Sequence, residues 1–243
     1  MITVEKPTLP DNVTRIDPGD PFSFLCHKNV PCFTDCCRQL DLALTPYDVL
    51  RLRKATGLNS TELLDRYIII EQDEQDLFPH FYLSMVDDGK ASCVFVSEEG
   101  CEVYPHRPAA CRTYPMGRAT VLEDGQKQEF FVLLKELHCR GFEEKTIQTI
   151  ESYSRSQELK PYNKFNDRIA QIQQHEKIRS GLKIDREMAT LYTSALYDLD
   201  RFRSMLINGQ IKVADGVIES IRTDDEALLD FAIEWIKEQL FGN

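Results

Sequence analysis

The chain has 243 residues, 42% of them hydrophobic, and a formal net charge of -11 at pH 7. That apolar content can build one large core or two smaller ones, so the chain has no need of the disulfide staples of small secreted scaffolds. The acidic balance argues against nucleic acid as a partner, because phosphate binding needs a concentrated basic surface. The longest apolar run, Phe130 to Leu134, is far too short to span a membrane, and Met1 to Asp20 has no apolar stretch of the kind a secretory signal requires. The expectation is a cytoplasmic protein that engages neither membrane nor nucleic acid, with a protein partner left open.

In chain order, residues 1–20 read as an N-terminal arm, 21–145 as a cysteine-bearing module and 146–243 as a helical region packed on it. Thr45 is placed to cap a helix with Pro46 in its first turn, Asp48 near its positive end and a stop at Gly57. Ser60 opens a second helix with Leu63, Leu64, Tyr67 and Ile68 on one face. Phe81 to Val86, a turn at Asp87-Asp88-Gly89-Lys90, and Cys93 to Val96 read as a hairpin. Asp124-Gly125 is a second turn signal and Phe130 to Leu134 a short strand, so a small antiparallel sheet is expected. From Gly141 to Ser180 the polar sequence suggests two helices interrupted at Pro161-Tyr162-Asn163. Met188 to Leu206 carries an apolar stripe through Leu191, Ala195, Leu199, Phe202 and Leu206. Thr223-Asp224-Asp225-Glu226 has the form of a capping box, and the last helix runs through Leu229, Ala232, Ile233, Ile236 and Leu240 to a stop at Gly242. These helices either pack on the module or offer a dimer surface. The predicted class is α+β, predominantly helical, with a small antiparallel sheet and cysteine-bearing loops around a metal site.

All eight cysteines fall within the first 139 residues. Cys26-(x5)-Cys32-(x3)-Cys36-Cys37 comes first, then Cys93-(x7)-Cys101-(x9)-Cys111, then Cys139 directly after His138. In a reducing compartment such clustering points to metal or redox chemistry rather than to disulfides. Structural zinc sites usually bring ligands as C-x(2-4)-C knuckles. Only Cys32-x3-Cys36 has that form, and irregular gaps suit a centre whose ligands come from several loops of a larger fold. On an extended backbone Cys36 and Cys37 would diverge and take different roles. Lys28, Arg38, Arg107, Arg112, Arg118 and Arg140 stand near the cysteines, and such cations can offset thiolate charge or donate hydrogen bonds to sulfur. His27, His106 and His138 lie beside cysteines but read more readily as neighbours than as ligands. Tyr104 and Tyr114, each before a proline, read as packing residues on extended turns.

The second half of this pattern, Cys101, Val103, Tyr104, Arg107, Pro108, Cys111, Arg112, Tyr114 and Pro115, together with the vicinal Cys36-Cys37, resembles the CxxCxxCC cysteine-cluster family, also called YkgJ-like. The resemblance covers about residues 21 to 142. It departs in the first half, where the two gaps are five and three residues rather than two and two. The resemblance implies zinc or iron chelation, or an iron-sulfur oxidoreductase. Flagellin lysine methylases resemble the same module and are associated with an iron-sulfur cluster, which favours iron without transferring a methylase activity.

The expectation is therefore a cysteine-ligated iron-sulfur centre of 4Fe-4S type with a redox or accessory role, one centre or two. The alternative is a zinc-bound structural, interaction or metal-handling module. Reactive-thiol switching through Cys36-Cys37 is a third class, which needs an exposed thiolate of low pKa. Cys32, Cys36, Cys101 and Cys111 form the expected primary ligand set and Cys26, Cys37, Cys93 and Cys139 a second. Arg107, Arg112, Tyr104 and Tyr114 are expected around the centre. The chain lacks a Gly-rich phosphate loop, H-E-x-x-H, G-x-S-x-G and the C-x3-C-x2-C triad of radical S-adenosylmethionine enzymes, so no substrate is indicated.

Overall fold

A computed structural model describes residues 9–123, 126–213 and 217–242. It is an α+β structure in which helices surround small antiparallel sheets of two or three strands. In the largest sheet, Gln126–Leu134 lies between Met116–Glu123 and Val13–Ile16. The Phe130 to Leu134 strand is thus the end of a longer one, and Val13–Ile16 joins it as an edge. The Asp124-Gly125 turn lies outside the described residues. Two backbone groups at the far edge are met by one side chain, Gln174, which accepts from Leu122 N at 3.1 Å and donates to Thr120 O at 3.0 Å. Covering an edge in this way removes a template for unwanted strand pairing.

The helix Pro46–Thr56 starts and stops where its caps predict. Thr45 and Asp48 form a reciprocal capping box, and Gly57, at φ 69°, ends it. The next helix opens at Ser60 as expected and runs to Tyr67, with Asn59 as its cap. Ser60 is buried and donates its hydroxyl to Asp198. Ile68 leaves this helix for a strand, Ile68–Glu71, paired with His80–Leu83. The expected hairpin forms as a short pairing of Met85–Val86 with Ser92–Cys93.

Two helical readings change in the C-terminal half. Pro161 does not interrupt a helix; it stands in the first turn of Leu159–Gln173, where the N–H it lacks has no partner to lose. The stripe from Met188 to Leu206 is split into Arg186–Leu196 and Leu199–Ile207. Asp198 turns the chain between them, because its carboxylate both caps the second helix and accepts from Ser60 and Thr61. The last helix, Asp225–Phe241, begins one residue later than the capping box implied: Asp224, not Thr223, accepts from Glu226 N and Ala227 N.

Two apolar clusters result. The larger gathers Tyr47, Leu52, Leu63, Tyr162, Phe165, Phe202 and Ile233 from the helices; the smaller gathers Phe22, Phe24, Met116, Leu133, Ile150 and Tyr153 beneath the three-stranded sheet. Cys93 and Cys101 border the first and Cys139 borders the second. The thiols therefore follow the seam between the two cores.

Asp48 ties the helical core to that seam. It is 1% exposed, and accepts from Thr45 N and Thr45 Oγ1 at 2.8 Å each and from Ala109 N at 2.7 Å. Asp48→Ala would leave two backbone donors without their partner and remove a cap. The expected cost is about 3 kcal/mol, read as a lower urea midpoint with an unchanged slope; a loss under about 0.5 kcal/mol would contradict this role.

Candidate metal centre

Backbone hydrogen bonds bring the cysteine segments together in two groups. Cys36 and Cys37 lie in a 3-10 turn, Asp35–Cys37, not on the extended backbone expected. Arg38 holds the turn by donating to Thr34 O at 2.6 Å. The chain then runs beside the Cys93 strand: Arg38 pairs with Ser92, and Gln39 N donates to Ala91 O at 2.9 Å. Cys101 pairs with Val96 across a tight hairpin. Gly100 in this hairpin, at φ 120°, has the Phe33 ring 3.0 Å from where a Cβ would stand, so a side chain there would push the Cys32-to-Cys36 segment away. Cys111 rides on the short helix Ala109–Thr113, whose first N–H is the one held by Asp48.

On the other side, Leu25 N donates to Gly141 O and Phe24 N to Thr146 O, both at 3.1 Å. Arg140 N donates to Cys32 Sγ at 3.1 Å. A Cβ on Gly141 would stand 2.5 Å from the Phe24 ring and 3.1 Å from Leu25 O, so only glycine lets these two segments approach. Cys26, Cys32 and Cys139 are assembled by this pairing.

The charges that the thiols would carry report the same grouping. Cys93 feels Cys101 and Cys36, and Cys111 feels Cys93, Cys101 and Cys36. Cys26 feels Cys36, Cys32 and Cys139. Burial first, and then these like charges, hold Cys93 and Cys111 above the ordinary thiol value and push Cys26 up to about 11. Burial likewise raises Cys101 and Cys139. Cys36 is the exception: Cys37 donates its S–H to it, which lowers Cys36 to about 7 and raises Cys37. Cys26, Cys36 and Cys111 are open to solvent although surrounding protein penalises their thiolates. Opposing the penalty, backbone N–H groups two residues ahead point at three sulfurs: Phe95 to Cys93, Val103 to Cys101 and Gly141 to Cys139. Such donors favour the thiolate and tune a sulfur-bound metal.

Among the described residues, no three His, Cys, Asp or Glu side chains stand close enough to cage a single ion. The thiols are gathered more widely, within range of one another's charge. The ligand set expected from spacing, Cys32, Cys36, Cys101 and Cys111, is divided here: Cys32 stands with Cys26 and Cys139, while Cys93 stands with Cys36, Cys101 and Cys111.

The two buried arginines have different surroundings. Arg107, 8% exposed, lies over the Tyr104 ring and donates to Tyr104 O at 2.7 Å and to Gln157 Oε1. Its charge lowers both Cys26 and Cys101, so it serves both thiol groups. Arg112, 2% exposed, spends its fork on Gln157 O and Pro105 O and stacks over Tyr162. It fixes the Tyr104–His106 turn against the helical core. Tyr104 begins a 3-10 turn rather than an extended segment, and the residue is 54% exposed, so it does not shield the thiols. Tyr114 does pack inward, edge-on to Phe24, and its hydroxyl faces Cys139 and Glu136 without a hydrogen bond of good geometry.

The three histidines are engaged elsewhere. His27 Nε2 lies 3.6 Å from Glu144, His138 Nε2 lies 3.6 Å from Glu136, and His106 Nδ1 accepts from Arg51 Nε at 3.2 Å. Gln157, which holds both arginines, was invisible to a search for metal donors; Gly141 and Gly100 carried a signal only as glycines flanking cysteines.

No curated protein and no solved structure matches this sequence. No helix among the described residues is long and apolar enough to cross a membrane. The model of the CxxCxxCC family, described as a putative zinc- or iron-chelating domain, matches residues 25–167, more than half of the chain and every one of its cysteines. With its thiols gathered in these two neighbouring groups, the chain belongs to the CxxCxxCC family of zinc- or iron-chelating domains.

Proposed function

We propose that the larger thiol group holds an iron-sulfur cluster of 4Fe-4S type, bound by Cys36, Cys93, Cys101 and Cys111 and serving a redox or accessory role in a cytoplasmic setting. The observation that carries this reading is the donor set itself: Cys93, Cys101 and Cys111 all sense the charge of Cys36, and the four are cysteines drawn from separate segments of the chain. Cysteine thiolates alone are the usual ligands of a 4Fe-4S cluster.

The remaining residues support that assignment. When bound, the cluster would supply one-electron redox chemistry. Cys36, open to solvent and lowered to about 7, is the thiolate most ready to take the first iron. Cys37 supplies an S–H to that sulfur. Arg107 contributes positive charge beside Cys101, and the amides of Phe95 and Val103 point at two of the four sulfurs. Hydrogen bonds and nearby cations raise the potential of such a centre. The zinc reading keeps the same family and the same thiols but needs the sulfurs to close in on one ion.

Anaerobic purification without a metal-binding tag, followed by iron, zinc and acid-labile sulfide analysis, tests the reading. About four iron and four sulfide per chain with broad absorption near 400 nm is expected; colourless protein with zinc and no sulfide would replace it with the zinc module. Cys93→Ser and Cys111→Ser are expected to abolish metal content, whereas Cys32→Ser and Cys139→Ser retain most of it. Equal losses at all four positions would overturn the ligand assignment.

The raised thiols also fix the sign of a pH dependence. In metal-free protein the thiols of Cys93, Cys101 and Cys111 are protonated at neutral pH, so taking up a divalent ion releases protons. Affinity for ferrous ion should therefore strengthen with rising pH, by about tenfold per pH unit for each proton released. Uptake independent of pH between 6 and 8, in an anaerobic titration, would contradict the directions found here.

A further inference from the structure

We propose that the free edge of the strand Ile68–Glu71 pairs antiparallel with the same strand of a second copy of this chain, forming a two-fold dimer. Ser84 N donates to Tyr67 O at 2.8 Å, and the register continues with Ile68 opposite Leu83 and Glu71 opposite His80. Backbone groups of an antiparallel pair alternate in direction, so Ile69 and Glu71 turn theirs toward the paired strand, and Ile68 and Ile70 turn theirs outward. The far side of His80–Leu83 is already occupied, because Leu44 N donates to Phe81 O at 2.8 Å and Leu83 N to Leu42 O at 3.0 Å. Ile68 N is spent on Leu64 O at the helix end. Ile68 O and both backbone groups of Ile70 meet no partner among the described residues.

Nothing blunts this edge. Ile69 and Ile70 are each 47% exposed, and residues 71–75 are exposed as well. Proteins usually guard an open edge with a lysine, a proline, a bulge or a covering side chain. Gln174 does so for the three-stranded sheet, whereas Ile68-Ile69-Ile70 has no such guard and consists of the β-branched residues that favour strand pairing.

A second copy fits because the strand is complementary to itself. Outward-facing residues must lie opposite one another, and an axis at Ile68 fails because its N–H is taken. With the axis at Ile70, that residue exchanges both hydrogen bonds with Ile70 of the second copy, and Ile68 O accepts from Gln72 N. The same axis brings Arg66, at the start of the strand, toward Glu74 of the second copy, just past its end. Both residues are exposed, and neither makes an ion pair among the described residues. In a chain of net charge -11, these two symmetric attractions fix the register and offset part of the repulsion between copies. A strand of four residues closes a small interface, so association in the micromolar range is expected rather than an obligate dimer.

Sedimentation equilibrium of the full chain, purified with its metal, tests this from low to high micromolar concentration. A reversible monomer–dimer equilibrium is expected. Ile70→Lys sets two like charges against each other at the axis and should raise the dissociation constant more than about tenfold. Arg66→Glu and Glu74→Arg should each weaken the dimer about fivefold. An equimolar mixture of those two variants should recover native association as a heterodimer, which misfolded chain could not do. A chain that stays monomeric at high micromolar concentration would overturn the proposal and leave the edge bare or open to a strand of another protein. So would a dimer that Ile70→Lys leaves intact, since its interface would lie elsewhere, or charge variants whose mixture associates no better than each alone.

Discussion

Thiols crowded within range of one another's charge cannot all ionise together. Each thiolate near another raises the proton affinity of the next, and burial adds to that penalty. Cys26, Cys93 and Cys111 are held up in this way, and Cys36 is lowered instead by the S–H of Cys37. Without a cation the arrangement is a store of protonated sulfur. With one, the repulsion becomes attraction, and each proton released is exchanged for a metal bond. The rest of the structure is organised to keep the sulfurs together despite that repulsion and to supply the fixed positive dipoles and charge that offset part of it.

The helical scaffold does this through a few buried polar contacts. Asp48 joins the start of the Pro46–Thr56 helix to the start of the Cys111 helix, so the most crowded thiol is anchored to the larger core. Gln157 performs the matching task on the opposite side, accepting from Arg107 with its side chain and from Arg112 with its carbonyl. Two cations are thereby held within protein that would otherwise expel them, and one of them reaches both thiol groups. The Arg112 Nε has no partner, which is a cost accepted for fixing the turn that leads into the Cys111 helix.

Local signals in the sequence were read well and tertiary ones were not. Thr45, Pro46 and Gly57 act on backbone groups within a few residues, so the first helix was legible to its ends. The same logic failed where a side chain had a distant alternative. Asp198, drawn to Ser60 and Thr61, broke a stripe that periodicity alone would have kept continuous. Pro161 misled because its effect depends on position in the helix, and in the first turn it has none. The grouping of the cysteines was beyond spacing altogether. Cys32 is four residues from Cys36 in the sequence, yet Arg140 N and Gly141 draw it toward Cys139, while the pairing of Gln39 with Ala91 draws Cys36 toward Cys93.

That division follows from where the two cores meet. The turn Asp35–Cys37 stands at the seam, so the chain before it is committed to the small core through Phe24 and the chain after it to the large one through Leu42 and Leu44. A thiol on either side of the turn therefore faces different neighbours, and the spacing x3 between Cys32 and Cys36 spans the seam instead of forming a knuckle. Cys36 at its centre is sensed by Cys26 from one group and by Cys93, Cys101 and Cys111 from the other. A change of charge at the larger group is thus felt across a single residue by the smaller one. Arg107, whose charge acts against the rise at both Cys26 and Cys101, is a counterweight common to the two groups.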